Sequence, residues 1–307
     1  MEIFNTLENL KIKEKTVVAL GNFDGIHAGH KVILEDAVNV ALEEGVKSLC
    51  FTFSNHPYNF IMHKRASDSD GLKLICSEDD KVKLIENLGI DYLVNIPFDE
   101  EIMNMSAQSF FDDILLSKLN AKFISVGFNY TYGANAEGDA ETLYRKGLES
   151  GVDVRVHDAV KVYHNVVSST LIREALSEGN VEDASMYLDR EYAITDKVFH
   201  GKKIGTTLGL PTINFVPHDE ILLPQNGVYA SRTIIDGEEH KSITNIGVSP
   251  TVGGKDKTIE THVLDYDGDA YGKKFTVLLD RFIREEKKFS TVDELREQIN
   301  KDIQEIL

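Results

Sequence analysis

The sequence predicts an α/β domain built on a parallel sheet, followed by a small antiparallel β-barrel domain that ends in a helix. Three patterns carry this expectation. From Thr16 to about His157 short apolar runs alternate with helical stretches, the arrangement of a parallel sheet with helices on both faces. From Glu191 the runs become short and β-rich, with turn signals at Asp236-Gly237 and Asp267-Gly268 that suit hairpins. Thr291-x-x-Glu294 then forms a capping box before a last amphipathic stretch.

In chain order, the first strand is Thr16 to Leu20. The turn Gly21-Asn22-Phe23-Asp24-Gly25-Ile26-His27-Ala28-Gly29-His30 follows it. A helix is expected from near His30 to Glu44, because Ile33, Ala37, Val40 and Ala41 recur at helical spacing and Gly45 stands as a C-cap. Further strands are Val46 to Phe53, Tyr92 to Ile96, Phe123 to Gly127 and Val152 to Val156. Helices lie near Glu78 to Leu88, Ala107 to Leu119 and Ala140 to Ser150, with Ser77 and Ser106 as N-caps. Ser168-Ser169-Thr170 opens a helix that continues to about Leu188, so the expected domains are 1–186 and 187–307. Val228 to Ile235, Lys241 to Ile246, Thr258 to Asp265 and Lys274 to Leu279 read as antiparallel strands of a small closed barrel. In the last helix Val292, Leu295, Ile299, Ile303 and Ile306 make one apolar stripe that should pack on it.

Composition narrows the function classes. The 307 residues are 42% hydrophobic and 27% charged, ordinary for a globular chain that can bury large cores. A net charge of -18 repels DNA, RNA and anionic bilayers at long range, while leaving small anions free to bind locally. Cys50 and Cys76 form no Cys-x-x-Cys pair and read as reduced packing residues. Met1 to Lys15 lacks the apolar core of a secretion signal, and no apolar run approaches membrane-spanning length. A cytoplasmic protein is expected, with no nucleic acid and no membrane.

The turn from Gly21 carries the clearest chemistry. Its glycines let the backbone approach a ligand, the free N–H groups of the helix start favour an anion, and His27 and His30 add donors. An ATP triphosphate fits this description. A plain Gly-rich connection with two exposed histidines fits it too, whereas zinc lacks a third nearby ligand. Ser168-Ser169-Thr170, with Arg173 in the first turn, reads by itself as an ordinary helix cap. An acidic residue such as Glu260 on an alternating strand would by itself be a solvated face.

The string Gly-x-Phe-Asp-Gly-x-His-x-Gly-His resembles bacterial FAD synthetase. Further motifs extend the likeness along nearly the whole chain: Thr52-Phe53 with His56-Pro57, Gly127-Phe128-Asn129-Tyr130-x-Tyr132-Gly133, and Ser168-Ser169-Thr170-x-Ile172-Arg173. In the second half they are His200-Gly201, Gly205, Leu208-Gly209-x-Pro211-Thr212-x-Asn214, Leu223-Pro224-x-x-Gly227-Val228-Tyr229, Asn245-Ile246-Gly247-x-x-Pro250-Thr251 and Glu260-x-His262. Together they resemble the prokaryotic bifunctional riboflavin kinase/FMN adenylyltransferase family.

The resemblance implies a Rossmann-like nucleotidyltransferase domain that moves AMP from ATP onto FMN, and a barrel that phosphorylates riboflavin. It implies that Gly21, Asn22, Phe23, Asp24, Gly25 and Gly29 hold ATP, with His27 and His30 at the reacting phosphorus. Ser168, Ser169, Thr170 and Arg173 would neutralise the leaving pyrophosphate. Phe128, Asn129 and Tyr130 would meet the flavin, although Tyr130 and Tyr132 are read equally well as aromatic packing beside the loop. In the second domain Glu260 is the implied base, Thr212 and Asn214 would hold Mg²⁺, Gly201, Lys202 and Gly205 would close over ATP, and Arg284 would contact flavin. One departure stands out: Gly205-Thr206-Thr207-Leu208-Gly209 has Thr206 where the family usually has Arg, and Lys202 or Lys203 is expected to compensate. The competing readings are a flavin sensor with one or both sites inactive, and an adenylyltransferase for another phosphorylated vitamin.

Overall fold

The computed structural model describes residues 1–65, 71–197, 212–215, 220–248, 257–266, 268 and 273–307. They fall into two compact units, Met1–Leu72 with Ser77–Ser168, and Lys73–Cys76 with Ser169–Leu307.

In the first unit the elements run β1 (Glu2–Phe4), β2 (Thr16–Leu20), α1 (Ala28–Glu44), β3 (Lys47–Phe53), α2 (Pro57–Lys64), α3 (Glu78–Asn87), β4 (Tyr92–Ile96) and α4 (Glu100–Asn104). They continue with α5 (Ala107–Ser109), β5 (Ala121–Gly127), a short hairpin of β6 (Thr131–Tyr132) and β7 (Gly138–Asp139), α6 (Ala140–Ser150), β8 (Asp153–His157), and a second hairpin of β9 (Lys161–Val162) and β10 (Asn165–Val166). The sheet order is β1-β4-β3-β2-β5-β8, and every pairing in it is parallel. All five residues of β2 are buried, as a central strand covered on both faces requires. Val18 and Leu20 enter one core with Phe51, Ile124 and Leu143. Val17 and Ala19 enter the other with Leu34, Ala37 and Ile85.

Several boundaries differ from the expected ones. The first helix begins at Ala28, two residues before the expected start, because His27 serves as its N-cap. The helix expected over 107–119 is α-helical only to Ser109 and then widens to a π-helix over Phe110–Lys118. Helix α2 was not expected. It starts with Pro57 in the first turn and His56 as N-cap, a combination that needs no apolar stripe.

The second unit holds α7 (Ser169–Ser177), α8 (Val181–Leu188), β11 (Tyr192–Lys197), β12 (Thr212–Phe215), β13 (Gly227–Ile235), β14 (Glu238–Val248), β15 (Lys257–Val263), β16 (Lys274–Arg284) and α9 (Val292–Gln304). The single helix expected up to Leu188 is two, because Gly179 takes φ +78 and Asn180 caps the next segment through Asp183 N–H. The antiparallel sheet has the order β11-β16-β13-β14-β15-β12. Among the described residues no pairing joins β11 to β12, so the sheet is a curled half-barrel where a closed one was expected. Asp236 and Gly237, with φ +51 and +89, make the expected two-residue turn between β13 and β14. Asp267 lies outside the described residues.

Two polar features organise this unit. Ser231, Thr233, Ser242, Thr244 and Thr261 are buried to 2% exposure or less and linked hydroxyl to hydroxyl: Ser231 to Ser242 and Thr244 at 2.8 Å each, Thr233 to Ser242 at 2.9 Å, and Thr244 to Thr261 at 2.9 Å. Each hydroxyl can both donate and accept, so the chain satisfies itself away from water. The second feature fixes α9. Its apolar stripe is only half-buried, with Val292 60% exposed, and the residue it buries is Asp302. That carboxylate receives Arg284 Nε at 3.1 Å and Nη2 at 2.7 Å, and Gln298 Nε2 at 2.9 Å.

Candidate active sites

The first site grows from the end of β2. Gly21 N–H donates to Phe51 O at 3.4 Å, and Thr52 Oγ1 donates to Asn22 O at 3.1 Å, so β3 supports the turn. Phe23, Gly25 and Ile26 take φ of +51, +79 and +42. For Phe23 and Ile26 this left-handed backbone is strained, and both side chains are fully buried at 0% and 1% exposure. Packing therefore holds a backbone shape that local preference opposes. Asp24 is buried beside them.

His27 Nδ1 accepts the His30 N–H at 3.2 Å. In the neutral ring the proton then sits on Nε2, which becomes a donor. The two imidazoles stack with centroids 3.6 Å apart and planes 15° apart, and Phe23 meets His30 edge-on at 5.3 Å. A Cβ on Gly29 would lie 3.2 Å from His27 Cε1, so glycine leaves the ring its place. The pair stands at the start of a 17-residue helix, where peptide dipoles favour an anion.

β5 runs beside β2 in parallel, so the loop after Gly127 leaves the same sheet edge as the turn. Phe128 N–H donates to His157 O at 2.9 Å, and Tyr130 N–H donates to Gly127 O at 3.0 Å. Phe128 is 51% exposed and Asn129 is exposed. Tyr130 stacks on Tyr132 at 6.0 Å and packs against the core, and burial pushes its hydroxyl pKa up. Ser168 closes the first unit, while Ser169, Thr170 and Arg173 lie in the first turn and a half of α7 in the second. Arg173 Nε donates to Lys73 O at 2.8 Å.

The second site lies on the half-barrel. Across β12 and β15 Asn214 faces Glu260 and Thr212 faces His262, and across β14 and β15 Asn245 faces Glu260. Glu260 is exposed, while its neighbours Ile259 and Thr261 are buried on the opposite face. Asn214 Nδ2 approaches Thr212 Oγ1 at 3.4 Å, so a hydroxyl and an amide sit together beside the carboxylate strand. Arg284, expected against flavin, has its guanidinium paired with Asp302. Gly201, Lys202, Lys203, Gly205 and Thr206 lie outside the described residues.

Residues 9–171 match the FAD synthetase family model, and residues 188–307 match that of riboflavin kinase. Curated relatives described as bifunctional riboflavin kinase/FMN adenylyltransferase include one from Escherichia coli (strain K12), 33% identical over 305 residues, or 98% of this chain and 96% of the relative. Another, from Bacillus subtilis (strain 168), is 34% identical over 296 residues, or 95% and 92%. The chain belongs to the bifunctional riboflavin kinase/FMN adenylyltransferase family. A crystal structure of a macrolide-efflux protein from Streptococcus pneumoniae matches with a TM-score of 0.86 and 28% identity, covering 98% of this chain and 97% of that one. Among the described residues no helix is long and apolar enough to cross a membrane.

Sequence reasoning missed the polar groups that brace the first site. Lys81 is buried and donates to Phe53 O at 2.6 Å and pairs with Glu78 at 2.8 Å. Asp36, Ser125, Arg155 and His157 meet between α1, β5 and β8. Arg155 and Asp36 lie 119 residues apart, and His157 lies farther still, so there is no local spacing to read.

Proposed function

We propose that the parallel-sheet half transfers AMP from ATP to FMN, giving FAD and pyrophosphate, and that the half-barrel transfers the γ-phosphoryl of ATP to riboflavin, giving FMN. What supports this most is that both family matches occur in order on a chain that keeps the His27–His30 pair at a helix start and Glu260 between two amides. The matched stretches leave room for a functional division between residues 186 and 187. The reactions belong in the cytoplasm, where ATP and both flavins are available.

In the first reaction a phosphate oxygen of FMN attacks the α-phosphorus of ATP, and the bond to pyrophosphate breaks. That oxygen is already anionic, so alignment and charge stabilisation carry the step. His27 Nε2–H and His30 would hold oxygens at the reacting phosphorus, with the Gly21–Gly25 backbone and Gly29 cradling the chain of phosphates. Ser168, Ser169, Thr170 and Arg173 would neutralise the leaving group. Phe128, Asn129 and Tyr130 would hold the flavin.

In the second reaction the 5′-hydroxyl of riboflavin gives its proton to the Glu260 carboxylate as its oxygen bonds the γ-phosphorus and ADP leaves. The oxygens of Thr212 and Asn214 suit a hard cation, and among the described residues no cluster of three acidic, His or Cys side chains competes for it. Mg²⁺ held there would offset phosphate charge. Gly201, Lys202 and Gly205 would cover ATP, and Arg284, fixed by Asp302, would border the flavin.

Incubation with riboflavin, ATP and Mg²⁺, followed by chromatography of the flavins, tests the proposal. FMN followed by FAD is expected; bound riboflavin left unconverted would instead favour the sensor reading.

A further inference from the structure

His157 closes β8, which among the described residues is an edge strand paired only with β5, yet it touches both halves of the adenylylation site. Its ring Nε2 lies 2.8 Å from Ser125 Oγ on β5 and 3.2 Å from Asp36 Oδ2 on α1. Ser125 is fully buried and donates its own proton to Ile33 O on α1 at 3.1 Å, so Nε2 must be the donor in the 2.8 Å contact. Arg155, two residues earlier on β8, holds Asp36 Oδ1 at 3.0 Å.

One atom in this cluster is poorly served. Asp36 Oδ2 is buried without an aligned hydrogen bond, although it lies beside Nε2, because the ring directs its proton to Ser125. A buried carboxylate oxygen left in this state is costly and calls for a reason. The main chain supplies one. The carbonyl of the same histidine accepts Phe128 N–H at 2.9 Å, so the ring's placement also sets the loop carrying Phe128 and Asn129. Helix α1, gripped through Ile33 and Asp36, carries the His27–His30 pair at its start.

We propose that His157 is a positioning residue for adenylyl transfer, setting the helix that holds ATP against the loop that holds FMN. The proposal rests on the assignment of those two substrates made above. It requires no contact between His157 and either one. A lateral slip of α1 on β5 and β8 would move attacking oxygen and phosphorus out of line, and small misplacements of this kind slow reactions strongly.

The test uses the full chain, assaying FAD formation from FMN and ATP, and riboflavin phosphorylation as an internal control. His157→Phe removes the donor, and His157→Gln restores an amide N–H at a similar reach. His157→Phe is expected to lower kcat for FAD formation about tenfold or more with KM for ATP changed less than about threefold. His157→Gln should recover most of the rate, and riboflavin phosphorylation should be unchanged in both. Because the residues act as a unit, Asp36→Asn added to His157→Phe should cost little more. A kcat within about twofold of the parent in His157→Phe, equal losses in Phe and Gln variants, or a parallel loss of kinase rate would each overturn the proposal. Should His157→Phe fail to fold, Ser125→Ala removes the same hydrogen bond, and an unchanged kcat there overturns it. His30→Ala separates the two layers: FAD formation that survives it removes the substrate assignment, whereas its loss beside a normal His157→Phe removes only the positioning role.

Discussion

Asn214 and Glu260 stand directly opposite one another across β12 and β15. With Asn245 facing Glu260 from β14, the carboxylate is flanked by neutral amides. Glu260→Ala, and equally Glu260→Gln, should abolish FMN formation from riboflavin while FAD still forms from supplied FMN. Chromatography of both reactions decides it, and loss of both activities would refute independent sites.

His30→Ala should do the reverse, stopping FAD formation while riboflavin is still phosphorylated. Gly29→Ala should act in the same direction more weakly, because the new methyl would meet the His27 ring at 3.2 Å and tilt it off His30. Initial rates of FAD formation at saturating ATP check both variants.

Asp302→Ala strands the Arg284 guanidinium, whose side chain is 14% exposed, beside a position that is itself 2% exposed. Removing one partner of such a pair costs about 3–5 kcal/mol. Riboflavin kinase activity should be lost at a lower temperature than in the parent, with FAD formation from FMN much less affected. Residual activities after stepwise heating give the comparison.

Burial pushes the Asp91 carboxyl pKa up, but hydrogen bonds from Lys47 and from Ser48 outweigh it and hold the group below its usual value. The Lys47 ammonium is held above its own usual value, chiefly by its hydrogen bond to Asp91. A lowered carboxylate pKa stabilises the fold above the unfolded pKa and loses that contribution as pH falls through the folded one; the raised lysine loses its share as pH rises through its folded pKa. Thermal melts of Asp91→Asn should therefore fall below the parent's at neutral pH, with the gap closing below about pH 4.

Much of this was legible beforehand because it is local. The strand–turn–helix at Gly21 to His30, the cap at Ser77, the Asp236-Gly237 turn and the helix from Thr291 each depend on residues a few places apart. The shift of the first helix start to Ala28 comes from a histidine acting as an N-cap, a role more often taken by Ser, Thr, Asp or Asn. The break at Gly179 was obscured because the acidic residues on both sides suit a helix. The Asp36–His157 cluster and the Arg284–Asp302 pair join distant stretches, Asp302 lying 18 residues from Arg284, so no local spacing announces either.

The hydroxyl chain inside the half-barrel has a consequence for the opposite face of the sheet. Sliding β15 along β14 by two residues would keep apolar side chains inward yet carry Thr261 away from Thr244, breaking a rung that water cannot replace. The alignment of those two threonines dictates that the next pair along is Asn245 with Glu260. A dry interior thus serves as the ruler by which the wet face proposed for catalysis is laid out, and swapping Thr244 for valine would test the enzyme's calibration at a position buried away from that face.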